Sequence, residues 1–155
     1  MMDPGLRDLY QEVILDHGRN PRHFGKLADA NHEAQGHNPL CGDRVHLYLK
    51  VDDAGRVADV AFEGKGCAIS IASASMMTDL VIGKSVDEAK ALAEAFYHLA
   101  KGEDTGSAMR EEDRERLEVM SGVSQFPMRV KCATLAWHTF EAACEDTGAR
   151  EATSE

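Results

Sequence analysis

Val45-His46-Leu47-Tyr48-Leu49-Lys50-Val51 alternates apolar and polar side chains at period two, as a half-buried strand does. Asp52-Asp53-Ala54-Gly55 reads as a turn, and Val57, Val60 and Phe62 fall in the strand that follows. Two such runs joined by a short polar turn predict an antiparallel hairpin. Helical patterns flank that hairpin on both sides.

Upstream, Asp3-Pro4 pairs an N-cap residue with proline at the first helical position, and Leu6, Leu9, Tyr10, Val13 and Ile14 follow at helical spacing. A first helix is expected to reach about His17, with Gly18 ending it and Asn20-Pro21 breaking the chain. Residues 22–38 are polar and irregular, with room for one strand. Downstream of Cys67, residues 68–82 are apolar or small on every side, including Ile69, Ile71, Met76, Met77, Leu80 and Val81. A helix without a polar face is a buried helix. Gly83 stops it, and Ser85 to Glu88 forms a capping-box pattern ahead of an apolar stripe of Val86, Ala89, Leu92, Ala93 and Phe96. Residues 110–120 predict a charged, exposed helix closed by Gly122. A last helix starts near Pro127 and carries Val130, Ala133, Trp137, Phe140 and Cys144, with Trp137 expected against the sheet. The reading gives a single domain over residues 1–146 and a polar tail without order over 147–155.

Hydrophobic residues make up 43% of the 155 and charged residues 28%, which suits an ordinary globular domain with a real core. Seventeen basic against 27 acidic residues give a net charge of −10, which argues against a nucleic-acid or anionic-membrane partner. No apolar run approaches the roughly 20 residues that span a bilayer. Residues 1–10 lack a basic region followed by an apolar core, so no secretory leader is expected there. The expected compartment is the cytoplasm, where thiols stay reduced and cysteine clusters read as metal-binding or catalytic before they read as disulfides.

Three cysteines and one aspartate then draw attention. Cys41 follows the turn-initiating pair Asn38-Pro39, and in extended backbone Cys41 and Asp43 project to one side, as two ligands of one metal would. The plain alternative is a loop cysteine beside a turn aspartate. Cys67, framed by Gly64 and Gly66, opens the buried helix, where free N–H groups favour thiolate; the alternative is a packed core thiol. Cys132 lies in the second turn of the last helix with Arg129 and Lys131 nearby, either to offset a thiolate site or as a solvated basic patch. Three thiolates and a carboxylate around Zn²⁺ would carry a formal charge of about −2, so nearby cations would help. Cys144, on an apolar stripe with Phe140, reads as core. The seven histidines form no i,i+4 pair on a predicted helix; His37 alone is close enough in sequence to Cys41 to watch.

Four segments carry a resemblance. They are residues 9–21, Asn38-Pro39-Leu40-Cys41-Gly42-Asp43, Gly64-Lys65-Gly66-Cys67-Ala68-Ile69-Ser70 with Ala72-Ser73-Ala74-Ser75, and Phe126-Pro127-Met128-Arg129-Val130-Lys131-Cys132-Ala133. Together they closely resemble the SufU/IscU family of iron–sulfur cluster assembly proteins, from about Leu6 to Cys144. The resemblance implies an α+β fold, a small and mainly antiparallel sheet packed with helices in a SufE/IscU-like sandwich. It implies that Cys41, Asp43, Cys67 and Cys132 converge. In the scaffold branch the site builds a cluster and a histidine directly precedes the last cysteine. Here Lys131 takes that place, a departure from the scaffold branch. The segment between Cys67 and Cys132 is also longer, and Arg129 stands in the Phe-Pro-x-Arg stretch; both of these features look like the SufU branch. There the four residues bind Zn²⁺, and Cys41 would accept sulfur from a SufS-type cysteine desulfurase for downstream cluster-assembly proteins. That implies a zinc-dependent sulfurtransferase, with an iron–sulfur cluster or iron on the same residues as the alternative.

Overall fold

The computed structural model describes residues 4–39, 42–103, 109–145 and 150–153. Residues 1–3, 40–41, 104–108, 146–149 and 154–155 lie outside that set. The elements run α1 (Pro4–Arg19), β1 (His32–Asn38), β2 (Asp43–Val51), β3 (Val57–Lys65), α2 (Ala68–Val81), α3 (Val86–Ala100), α4 (Glu111–Leu117), a 3-10 segment (Glu118–Gln125), α5 (Pro127–Cys144) and β4 (Arg150–Thr153).

The hairpin forms as its alternation demands. Leu47 pairs with Phe62 and Leu49 with Val60 across β2 and β3, and all four side chains are buried. Its turn closes because the Asp52 carboxylate accepts from the amides of Ala54 (2.9 Å) and Arg56 (3.0 Å), and Gly55 takes φ +79°. The polar stretch before the hairpin supplies the third strand: β1 pairs antiparallel with β2, from His32 opposite Leu49 to Asn38 opposite Asp43. The sheet order is β3-β2-β1-β4, with β4 parallel to β1. That short strand falls where a tail without order is expected, since its backbone finds the unpaired edge of β1.

The helices cover one face of the sheet, and α2 is their centre, packed against α1, α5 and β3. Two of its serines do more than fill space. The Ser75 hydroxyl accepts from the Arg22 amide at 2.8 Å and lies 2.7 Å from His17 Nδ1, tying the end of α1 to α2. Ser73 donates to the Ala133 carbonyl at 2.5 Å and accepts from the Trp137 indole at 3.1 Å, tying α2 to α5. Trp137 stacks on Phe96 of α3, with ring centroids 4.7 Å apart. The capping box of α3 is present at Ser85 and Glu88.

Two helix boundaries differ from expectation. α1 continues through Gly18 to Arg19, and the Asn20 amide still bonds to Asp16 at 2.8 Å. The 110–120 stretch is a short α-helix that tightens into a 3-10 segment running past Gly122. It is not simply exposed. Leu117, Val119, Met120 and Val123 reach the core, and buried Asp113 faces Lys84 Nζ at 3.5 Å.

Candidate metal centre

The site lies at the end of the helix-covered face. β2 begins with Asp43, whose side chain shares the buried face with Val45, Leu47 and Leu49 and is 1% exposed. The turn before it is closed by the Gly42 amide bonding to the Asn38 carbonyl at 2.8 Å, with Gly42 at φ +73°. β3 ends at Lys65, and the chain passes through Gly66 into Cys67, the N-cap of α2. A Cβ at Gly66 would overlap the Asp43 carboxylate. Glycine there lets Asp43 lie against the backbone and accept from the Cys67 amide at 3.0 Å. The Cys67 sulfur in turn accepts from the Ser70 amide at 3.4 Å, as an N-cap side chain does. α5 delivers Cys132, one residue before the carbonyl that Ser73 holds.

The three side chains meet. One ligand atom each from Asp43, Cys67 and Cys132 lies within 4.8 Å of the others. Cys67 Sγ is 3.9 Å from Asp43 Oδ2. The edge of a zinc tetrahedron with sulfur at about 2.3 Å and oxygen at about 2.0–2.2 Å is roughly 3.5–3.8 Å, so the spacing fits one ion. Cys132 is buried while Cys67 is exposed, which leaves the site open on one side. Asn38, read in sequence only as a turn residue, lies 1% exposed with its amide nitrogen 3.9 Å from Cys132 Sγ. Its position before proline signals a turn and gives no hint of this contact.

Burial pushes the Cys132 thiol far above the usual thiol range, and hydrogen bonding to Asp43 and the nearby Cys67 add to that. The donor set fits a borderline metal: two sulfurs and one carboxylate oxygen.

Of the sequence candidates, Cys41 lies outside the described residues. Arg129 is exposed, with its guanidinium carbon 4.9 Å from the centre of the Phe126 ring. Lys131 lines a groove between α3 and α5 with Glu94, Tyr97 and His138. Among the described residues, no ion pair joins either cation to Asp43. His37 faces the opposite side of the sheet, beside Arg44 and Lys65. Cys144 packs half-buried against the core, and burial pushes its thiol up to about 12.

Known proteins are similar to this chain along most of its length. Residues 9–133 match the family described as the NifU-like N terminal domain. The iron–sulfur cluster assembly scaffold protein IscU of Streptococcus pyogenes serotype M1 is 44% identical over 138 residues, 89% of this chain and 84% of that protein. The zinc-dependent sulfurtransferase SufU of Bacillus subtilis is 43% identical over 136 residues, 88% of this chain and 89% of its own length. The crystal structure of an iron–sulfur cluster assembly scaffold protein for the SUF system from Fervidobacterium islandicum superposes with a TM-score of 0.79 at 35% identity, covering 89% of this chain and 98% of that one.

Proposed function

The chain belongs to the NifU-like N-terminal domain family, which includes IscU and SufU, and from that premise we propose that it is a zinc-dependent acceptor of persulfide sulfur. The sulfur comes from a cysteine desulfurase of the SufS type and passes toward cluster assembly in the cytoplasm, with residues 1–146 as the working unit. The observation that carries the reading is the meeting of Asp43, Cys67 and Cys132 within 4.8 Å. Cys41, two residues before Asp43, is the fourth ligand and the acceptor.

Zinc held there would keep thiols deprotonated without redox chemistry of its own. Asp43 and Cys132 are fixed by burial and by backbone or side-chain bonds, and Cys67 is fixed as a helix cap. These three are the holders. Cys41 is the acceptor. Its thiolate attacks the outer sulfur of the donor's Cys–S–SH group; the donor's S–S bond breaks, a new one forms at Cys41, and the donor cysteine leaves as thiolate. No outside oxidant or reductant is needed.

Lys131 favours relay over cluster building, because it stands where the scaffold branch carries histidine and lines the α3–α5 groove. The scaffold reading draws on the relatives named as scaffolds, the Streptococcus protein among them. One pair of measurements separates the two. Anaerobically purified protein is expected to be colourless, to hold one zinc, and to accelerate a cysteine desulfurase, with Cys41→Ala abolishing the acceleration. Unchanged acceleration by that variant would sink the assignment of Cys41. A coloured, transferable cluster on reconstitution would move the reading to the scaffold.

A further inference from the structure

The open face of the sheet carries a second feature at the site end. His37, Arg44 and Lys65 pair directly across β1, β2 and β3, so they form one rung. All three line the same shallow groove on the side away from the helices. The next two rungs hold their polar side chains in contacts with one another. His46 Nε2 lies 2.9 Å from Glu33 Oε2, and the Tyr48 hydroxyl donates to Glu63 Oε1 at 2.8 Å. The first rung does not. Among the described residues, no ion pair engages His37, Arg44 or Lys65. Like charges directly opposite on a strand pair are destabilising, and here Arg44 and Lys65 stand so on a chain of net charge −10.

Resting on the sulfur-acceptor reading, we infer that this rung is a docking surface for an acidic patch on the sulfur-donating protein. Arg44 adjoins Asp43, and Lys65 is two residues from Cys67. A donor whose persulfide touches a thiol at this site must cover its rim. A standard interface covers about 800 Å² per partner. Three neighbouring strands are only about 10 Å across, so a rung at the site end of the sheet is small against such a footprint. A fixed positive rung on an acidic protein selects the face that meets an acidic partner and rejects the rest of the surface.

The test uses the whole protein and a cysteine desulfurase, reading the concentration that gives half-maximal acceleration. For the unmodified protein it is expected to rise between about 50 and 300 mM salt, as the Debye length falls from roughly 14 to 6 Å. The double variant R44E/K65E is expected to raise it on the order of tenfold at low salt and to flatten the salt dependence. Maximal acceleration, zinc content and thermal midpoint are expected to stay as they were. A salt-independent value for the unmodified protein overturns the inference without any variant. So does an unchanged value in R44E/K65E. A changed sedimentation of the variant alone, with that value unmoved, would assign the rung to a second copy of this chain. If the unmodified protein gives no acceleration at all, the sulfur-acceptor reading fails first.

Discussion

Asp43 and Arg44 are adjacent on β2 and live in opposite settings. Asp43 is buried under helices and bonded to the Cys67 amide; Arg44 is exposed on the open face with Lys65 across from it. The period of a strand makes this possible: one step along the chain moves a side chain through the sheet. The two faces differ in how they are built. The covered face gathers Asn38, Asp43, Cys67 and Cys132 from separate elements, so it exists only when α2 and α5 have docked. The open face is made of cross-strand pairs within β1, β2 and β3 and needs only the right register. Covered-face perturbations should therefore act on the whole fold and the site together, and open-face ones on local pairs or on encounters.

The largest expected effect is metal removal. Structural zinc is worth about 10–16 kcal/mol apparent in peptides, against about 5–15 for a whole domain's net stability. Chelation of the zinc form should lower the urea midpoint by most of its span. A midpoint unmoved by chelation would break the claim that the covered face closes around an ion. Next comes Trp137→Ala. Trp137 is 0% exposed, stacked on Phe96 and bonded to Ser73, so its loss should cost about 3–5 kcal/mol and loosen zinc with it. A loss below about 1 kcal/mol with zinc retained would mean that α5 does not position Cys132 through Ser73.

Gly66→Ala is smaller and sharper. The added Cβ would overlap the Asp43 carboxylate, so the carboxylate must leave or β3 must shift. Overpacking of this kind costs about 1–3 kcal/mol. The variant should bind zinc less tightly in a competition with a chromogenic chelator while keeping the sheet's circular dichroism. Full zinc affinity would show that Asp43 has room to spare.

The contrast between the faces also explains what the sequence made legible. The hairpin, the buried helix and the capping box of α3 were readable because each rests on local periodicity or on a cap within four residues. Cys67 was readable as a helix start because the apolar run of α2 begins directly after it. The third strand was hard to see: β1 reads His32-Glu33-Ala34-Gln35-Gly36-His37-Asn38, and only Ala34 is a buried apolar side chain. Its Gly36 is there because α5 crosses so closely that a Cβ would overlap the Thr139 hydroxyl, a contact 103 residues away in the chain. The role of Ser73 was hidden for the same reason, since a small polar residue in an apolar helix reads as filler until its partners on α5 are placed. The convergence of Asp43, Cys67 and Cys132 came from the family resemblance, because no local pattern links residues on β2, α2 and α5.

The smallest expected effect lies on the open face. Tyr48→Phe removes the hydroxyl that donates to Glu63 at 2.8 Å and leaves the ring stacked on His46, with centroids 4.4 Å apart. A single such hydrogen bond is worth about 0.5–1.5 kcal/mol, and zinc binding should not change. The pH dependence makes the test specific. Burial first, then the bond to Glu63, push the phenol up to about 12 from its ordinary 10.0. The folded state therefore holds this proton more tightly than the unfolded chain. Its contribution is fully present below about pH 10 and is lost as the pH rises toward 12. The gap in urea midpoint between native protein and Tyr48→Phe should accordingly narrow on going from pH 8 to pH 11. A constant gap would mean that the ring's packing alone sets its contribution. Lost zinc in this variant would mean that the two faces are coupled through β2.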